Sequence, residues 1–283
     1  MLSVLSRSHL EQITGGKGLG KDPDQPIAQI SIDSRQVLHP EQTLFVALKG
    51  AKADGISFVF ELLDLGVAYF LVDEKANIPS FWLEKGYFIQ VKDTRAALQA
   101  LASYQRVQFT KPVVSITGSN GKTIVKEWLG QVLSQQFAVA KSPKSYNSQV
   151  GVPLSIFGIQ SYHQVAILEA GVSKTGDMGT LAKMIHPGLG IFTNIGSAHE
   201  EGFPGMKEKI AEKLQLFAGV NFLLYCRDHE LLAQEIEQQV PAENCISWSK
   251  KAGADYSVSW KSQETNSRIV VMKNDLQTLT FQV

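Results

Sequence analysis

The chain has 283 residues, enough for one large or two medium domains, and 44% of them are hydrophobic, ample for a sizeable core. Lys+Arg and Asp+Glu both number 27, so no basic surplus draws the protein toward nucleic acid or an anionic membrane. No apolar run approaches transmembrane length, and MLSVLSRSHL lacks both the apolar stretch and the cleavage site of a signal peptide, so a cytoplasmic α/β protein with no membrane insertion is expected. Cys226 and Cys245 are unclustered and read as reduced core residues, not as a disulfide or a metal pair.

Residues 1–92 read as a separate small α/β domain. Ile30–Ile32, Leu44–Leu48, Tyr69–Val72 and Tyr87–Val91 are strand candidates, and Phe58–Leu65 a helix. The GGKGLG stretch at 15–20 follows no clear strand and reads as a flexible turn. Polar or small residues gather at Asp33-Ser34-Arg35, Lys49-Gly50 and Asp54-Gly55, each after an apolar element. Arg35 beside a strand end can grip a phosphate through two N–H groups or form a surface ion pair; the residues alone leave both open. Asp93–Gln108 is an amphipathic helix expected to lead into a second domain, 93–283.

That domain is organised by VVSITGSNGKT at 113–123. The β-branched run reads as a buried parallel strand, and Val125, Trp128, Leu129, Val132 and Leu133 fall on one face of a following helix. Between them, Gly118, Ser119, Asn120 and Gly121 form a turn whose backbone N–H groups can cradle phosphate at a helix N-terminus. Lys122 would reach the β/γ-phosphates and Thr123 would offer its hydroxyl to Mg²⁺. The spacing is the short G-x-x-G-K-T, since Ile116 stands where the longer motif needs glycine.

Further strands are expected at Phe137–Ala140, Val165–Leu168, Ile191–Ile195 and Phe222–Tyr225. Helices are expected from Gly151 and over Lys207–Phe217 and Glu230–Gln239. Tyr256–Trp260, Ser267–Met272 and Thr278–Val283 alternate without intervening helices, like an antiparallel meander. The sequence stops inside the last of these, which leads us to expect a longer protein. Ligands of parallel sheets bind beyond the carboxyl ends of the strands, where Gly118–Thr123, Glu169 and His199 all fall. Glu169 follows an apolar run, where an unpaired carboxylate is costly; metal ligation, an ion pair or an N-cap at that strand end would relieve it, and the shared P-loop edge favours metal. His199 is even between ligand and ordinary loop residue, because Mg²⁺ prefers oxygen. No arginine lies between Arg106 and Arg227, which counts against a self-contained kinase or P-loop ATPase.

Taken together, ITGSNGKT, YNSQVGVPLSI, AILEAGVSKTGDM and FTNIGSAHEEGF resemble the Mur ligase family. ISIDSRQVLHPEQTLFVALKGAKADGISF is similar to the branch that adds D-alanyl-D-alanine to UDP-N-acetylmuramoyl-tripeptide in peptidoglycan synthesis. The resemblance implies ATP-dependent amide ligation through an acyl phosphate, with ATP and Mg²⁺ as cofactors. It implies that Gly118, Asn120, Gly121 and Lys122 hold the phosphates and that Thr123 and Glu169 hold Mg²⁺. His199 would serve the second metal position, and Asn147 would face ATP and the muramoyl substrate. Ser34, Arg35, Lys49, Gly50, Asp54 and Gly55 would belong to the UDP pocket, and Lys213 matches a lysine often carbamylated in the family. KSPKSYNSQVGVP and EKLQLF are similar to members fused to an alanine racemase, which would lie beyond residue 283. Pro204-Gly205 and Asp177 depart mildly from the family pattern, and its later central segment and C-terminal domain are not in this sequence. The competing readings are another branch (the diamino-acid-adding ligase or folylpolyglutamate synthase), a P-loop ATPase or kinase, and a non-catalytic UDP-sugar-binding module.

Overall fold

The structure is a computed structural model and describes residues 5–50, 54–196, 202–251, 253–262, 267–273 and 276–282. Its chain divides into two compact units, Met1–Lys111 with Gln149–His163, and Pro112–Ser148 with Gln164–Val283. Among the described residues, no helix is long and apolar enough to cross a membrane.

The first unit runs α1 (Arg7–Thr14), β1 (Lys17–Gly20), β2 (Gln29–Ser31), β3 (Thr43–Val46), α2 (Val59–Asp64), β4 (Tyr69–Asp73), α3 (Ser80–Leu83), β5 (Tyr87–Val91) and α4 (Thr94–Val107). Its sheet has the order β1-β5-β4-β3-β2, parallel except where β1 runs against β5. Strands buried on both faces read as continuous apolar runs, and β3 and β4 supply Phe45 and Phe70 to a core with Leu62 and Phe88. The rings of Phe70 and Phe88 stack at 5.0 Å. The 15–20 stretch corrects the expectation of a flexible turn: Lys17–Gly20 pairs with Tyr87–Gln90 as an edge strand. Glycine is what allows it, because a Cβ on Gly18 would sit 1.6 Å from the Tyr87 hydroxyl oxygen.

The boundary also differs from the one expected at 92/93. Helix α4 groups with the first unit because its buried face, Leu98, Leu101 and Ala102, packs on α1 and on a later helix, Gly151–Phe157. Gln99 donates to the Gln149 carbonyl at 3.0 Å and to its side-chain oxygen at 2.8 Å, tying the returning segment down.

The second unit begins with β6 (Val113–Thr117), α5 (Lys122–Leu133) and β7 (Val139–Lys141). The chain then makes the Gly151–Phe157 helix, α6, in the first unit and returns as β8 (Val165–Glu169), α7 (Met178–Ile185) and β9 (Leu189–Phe192). It continues through α8 (Met206–Leu214), β10 (Phe222–Cys226), α9 (Glu230–Gln239) and β11 (Cys245–Ser249), then β12 (Tyr256–Ser262), β13 (Ser267–Lys273) and β14 (Leu276–Gln282). The sheet order is β14-β13-β12-β11-β10-β9-β6-β8-β7, parallel from β7 to β12 and antiparallel over β12–β14. The expected meander is therefore joined to the sheet through a parallel β11–β12 pair, and β11 and α7 had no counterpart among the expected elements.

Two details correct the sequence pattern. On α5, Val125, Leu129 and Leu133 pack on Val114, Ile116 and Ile167, but Trp128 and Val132 are 66% and 65% exposed. A helix laid on one sheet buries a narrow stripe, so the expected five-residue face is too wide by two. The strand expected at Ile191–Ile195 is β9, ending at Phe192: the Thr193 N–H still donates to the Thr117 carbonyl at 2.9 Å, but its hydroxyl and Asn194 turn to the 118–123 loop.

Candidate functional site

Successive strands β8 and β9 lie on opposite sides of β6, so the direction of strand addition reverses there. Such a switch point leaves a crevice beyond the strand ends, and the Gly118–Thr123 turn occupies it. Gly118 and Gly121 have φ of +146° and +79°, and a Cβ at Gly118 would stand 2.0 Å from the Thr193 hydroxyl oxygen. The loop is clamped from β9's side: the Ser119 N–H donates to the Asn194 carbonyl at 2.9 Å and the Asn120 N–H to its side-chain oxygen at 3.0 Å. The Thr193 hydroxyl donates to the Asn120 carbonyl at 2.6 Å. Sequence reasoning missed Thr193 and Asn194. Their signal was the polar pair directly after an apolar run at the ligand edge.

Lys122 folds over the loop, its ammonium donating to the Gly118 carbonyl at 2.9 Å and reaching the Ser119 carbonyl at 3.4 Å. Burial pushes its pKa below the ordinary lysine value, and the charge of Glu169 partly opposes that. The Thr123 hydroxyl donates to Glu169 Oε2 at 2.9 Å and lies 3.1 Å from the Ser145 hydroxyl. The Asn147 amide donates to Glu169 Oε1 at 2.7 Å. Glu169 is 1% exposed, and Lys126, entirely buried, brings its ammonium to 3.8 Å of Oε2. The ion-pair expectation for this carboxylate is met by Lys126, and its other partners are the Thr123 hydroxyl and the Asn147 amide. Lys126 was overlooked, since a lysine four residues after Lys122 reads as a solvated helix position.

His199 lies outside the described residues, as do Ser197 and Ala198. Among the described residues no group of three or more His, Cys, Asp or Glu side chains could hold a metal ion. Lys213 on α8 is 2% exposed. Its pKa is pushed down to about 8, first by burial and then by the charges of Lys122 and Lys209, with Glu212 opposing. Lys213 thus shares the electrostatic neighbourhood of the P-loop lysine.

In the first unit, Lys49 and Asp54 pair as an isolated bridge and line a cleft of about 310 Å³ with Asp73, Lys75 and Thr94. Ser34 and Arg35 are not among its lining residues: they form a short 3-10 turn capped by Asp33. The Arg35 guanidinium, 86% exposed, donates through Nε and Nη2 to the two Asp33 carboxylate oxygens, at 2.8 Å each. These hydrogen bonds hold the Asp33 pKa down to about 2. Gly50 is exposed, and Gly55 is buried with its N–H on the Leu48 carbonyl. Cys226 and Cys245 are free thiols; Cys226 is buried as expected, whereas Cys245 is half-buried and not a core residue.

Comparison with known proteins fits this architecture. The Mur ligase middle domain matches residues 116–283, and the Mur ligase family catalytic domain matches residues 26–106. The chain is 39% identical over 196 residues to the UDP-N-acetylmuramoyl-tripeptide–D-alanyl-D-alanine ligase of Treponema pallidum, covering 67% of this chain and 42% of that protein. With the ligase of the same name from Bacillus subtilis it shares 35% identity over 207 residues, 72% of this chain and 44% of that one. The chain therefore spans less than half the length of these curated relatives. Among solved structures, MurF from Acinetobacter baumannii overlays all of this chain and 61% of its own, with a TM-score of 0.85 at 24% identity. MurF ligase from Thermotoga maritima, solved in complex with ADP, covers 90% of this chain and 57% of its own, with a TM-score of 0.76 at 27% identity. The mostly parallel sheet with a glycine turn at its switch point, the small α/β unit before it and these matches agree: the chain belongs to the Mur ligase family.

Proposed function

We propose that this chain carries the substrate-binding and nucleotide-binding parts of an ATP-dependent amide ligase that adds D-alanyl-D-alanine to UDP-N-acetylmuramoyl-tripeptide during peptidoglycan synthesis in the cytoplasm. The observation that carries the reading is the Thr123 hydroxyl set on the buried Glu169 carboxylate, beside a glycine turn shaped for phosphate. The relatives named above support the branch. A diamino-acid-adding ligase structure overlays with a TM-score of only 0.58 at 15% identity.

In this reading the terminal carboxylate of the tripeptide attacks the γ-phosphorus of ATP, giving an acyl phosphate and ADP. The amine of D-alanyl-D-alanine then adds to the acyl carbon, and phosphate leaves. Lys122 would turn from the Gly118 carbonyl to the β/γ-phosphates, and the N–H groups at the N-terminus of α5 would take other phosphate oxygens, those of Ser119 and Asn120 being held by Asn194. Thr123 and Glu169 present a hydroxyl and a carboxylate, hard oxygen donors that fit Mg²⁺ and would hold it there. Bound there, the ion would neutralise phosphate charge; His199 is assigned to the second metal position. Asn147 holds Glu169 Oε1 and so orients the carboxylate. Lys49, Gly50, Asp54 and Gly55, with Ser34 and Arg35, are assigned to the UDP end of the substrate.

Calorimetric titration of the 283-residue chain with UDP-N-acetylmuramoyl-tripeptide tests the assignment, with UMP and Arg35→Ala as controls. Saturable binding tighter than UMP and weakened in the variant is expected. Binding no better than UMP would sink the branch assignment, and phosphate release from ATP with no amine acceptor would point to an ATPase or kinase instead.

Lys213 is assigned to the carbamate position. A lysine held near pKa 8 offers far more neutral amine at neutral pH than one at 10.5, and only the neutral amine adds to CO₂. Because its folded pKa lies below the unfolded value, the unfolded chain binds more protons between about 8 and 10.5, and stability rises with pH across that window. Thermal melts at pH 7 and pH 9.5 should show this rise in the wild type and a smaller one in Lys213→Met. ¹³CO₂ should add one carbamate resonance that Lys213→Ala lacks; an unmodified mass under gentle ionisation after CO₂ trapping would argue against the assignment.

A further inference from the structure

We propose that Lys126 is a positioning residue whose buried charge makes divalent-cation binding at Thr123 and Glu169 depend on bound nucleotide; this rests on the nucleotide-site reading above. Lys126 lies one turn beyond Lys122 on α5, with its side chain wholly buried. Its ammonium donates to the Ser142 carbonyl at 2.8 Å and to the Lys144 carbonyl, and stands 3.8 Å from Glu169 Oε2. It therefore joins helix α5, the loop after β7 and the end of β8 at one point.

Two consequences follow from that placement. The first is geometric. Ser142 and Lys144 begin the loop that delivers Ser145 to Thr123 and Asn147 to Glu169, and Lys144 holds a left-handed φ of +48°. Two hydrogen bonds from one ammonium pin a turn that a non-glycine residue adopts reluctantly. The second is electrostatic. Glu169 is 1% exposed and already has a buried counter-charge, so the pair sums to zero before any ligand arrives. Glu127, 3.3 Å from the same ammonium, is 39% exposed and shared with Lys141, so that pair also cancels. Lys122 remains, in the neighbourhood of the buried Lys209 and Lys213 with Glu212 opposing, so the crevice with an unmodified Lys213 is net positive. A divalent cation finds no net attraction there until nucleotide phosphates reverse the sign.

Mn²⁺ binding followed by electron paramagnetic resonance on the 283-residue chain, with and without ADP, tests this. Wild-type protein should bind Mn²⁺ roughly 50-fold or more tightly with ADP than without it. Lys126→Gln removes the charge while keeping two N–H donors for the loop carbonyls. It should tighten nucleotide-free Mn²⁺ binding about tenfold and shrink the coupling by the same factor. Lys126→Arg should restore the wild-type coupling, a rescue that a purely structural role does not predict. A Lys126→Gln protein that melts like the wild type with unchanged coupling overturns the proposal. If that variant does not fold, a folded Lys126→Arg protein without coupling does so instead. Wild-type protein that binds ADP but shows equal Mn²⁺ affinity in both states overturns it with the nucleotide site intact; absence of any ADP binding overturns both.

Discussion

ADP affinity is expected to fall at least about 100-fold when Lys122 is replaced by alanine, while the thermal midpoint shifts little. A hydrogen bond from a charged donor is worth about 1.5–3 kcal/mol, and an ammonium reaching two phosphate oxygens forms two of them. Without nucleotide the same ammonium only covers the Gly118 and Ser119 carbonyls, at 2.9 and 3.4 Å, and water can take over both. The loop itself is held by other groups, namely the Asn194 contacts to Ser119 and Asn120 and the Thr193 contact to Asn120. Binding and stability should therefore separate in this variant. Calorimetry with ADP beside a thermal melt checks it; near-native affinity would remove Lys122 from the phosphate site, and a collapse in midpoint would assign it to the fold.

How much of this was legible in the sequence depends on how local each signal is. The strands β4, β5, β6 and β8 follow from apolar runs whose burial needs no partner to be named, and the phosphate turn follows from glycines with a Lys-Thr pair after them. The carboxylate at Glu169 was legible because a charge at the end of such a run demands an explanation. What was hidden depends on packing between distant segments. Lys126 looks like any surface lysine until the loop after β7 closes over it, and Trp128 looks like core until α5 is set on the sheet. The strand at Lys17–Gly20 is stabilised by β5, some seventy positions later, and its glycines signal a turn when read locally. Arg35 shows the limit from the other side: its pairing with Asp33 is local, and a local ion pair and a phosphate grip begin from the same residues.

Glu169→Ala should cost the protein about 3–5 kcal/mol of stability, the usual penalty for removing one partner of a buried ion pair. Alanine would leave the wholly buried Lys126 ammonium without its 3.8 Å counter-charge and strip the Thr123 hydroxyl and the Asn147 amide of their acceptor. For a unit of this size each kcal/mol moves the midpoint by about 2–4 °C, so a fall of roughly 6–20 °C is expected. The cause can be isolated by a double-mutant cycle: if the unpaired ammonium dominates, adding Lys126→Met to Glu169→Ala should recover part of the loss, although each change alone destabilises. Strict additivity of the two would place the cost in the Thr123 and Asn147 contacts instead, and a midpoint unchanged in Glu169→Ala would mean that the carboxylate contributes nothing to the fold. Glu169→Gln keeps an oxygen for Thr123 but offers no charge to Lys126 or to a cation. Its midpoint should fall between those of the wild type and the alanine variant, and its nucleotide-dependent Mn²⁺ binding should be lost as fully as in Glu169→Ala. A residue that completes a ligand site and also neutralises a buried ammonium cannot be altered for one role without disturbing the other, and the glutamine variant is where the two effects come apart.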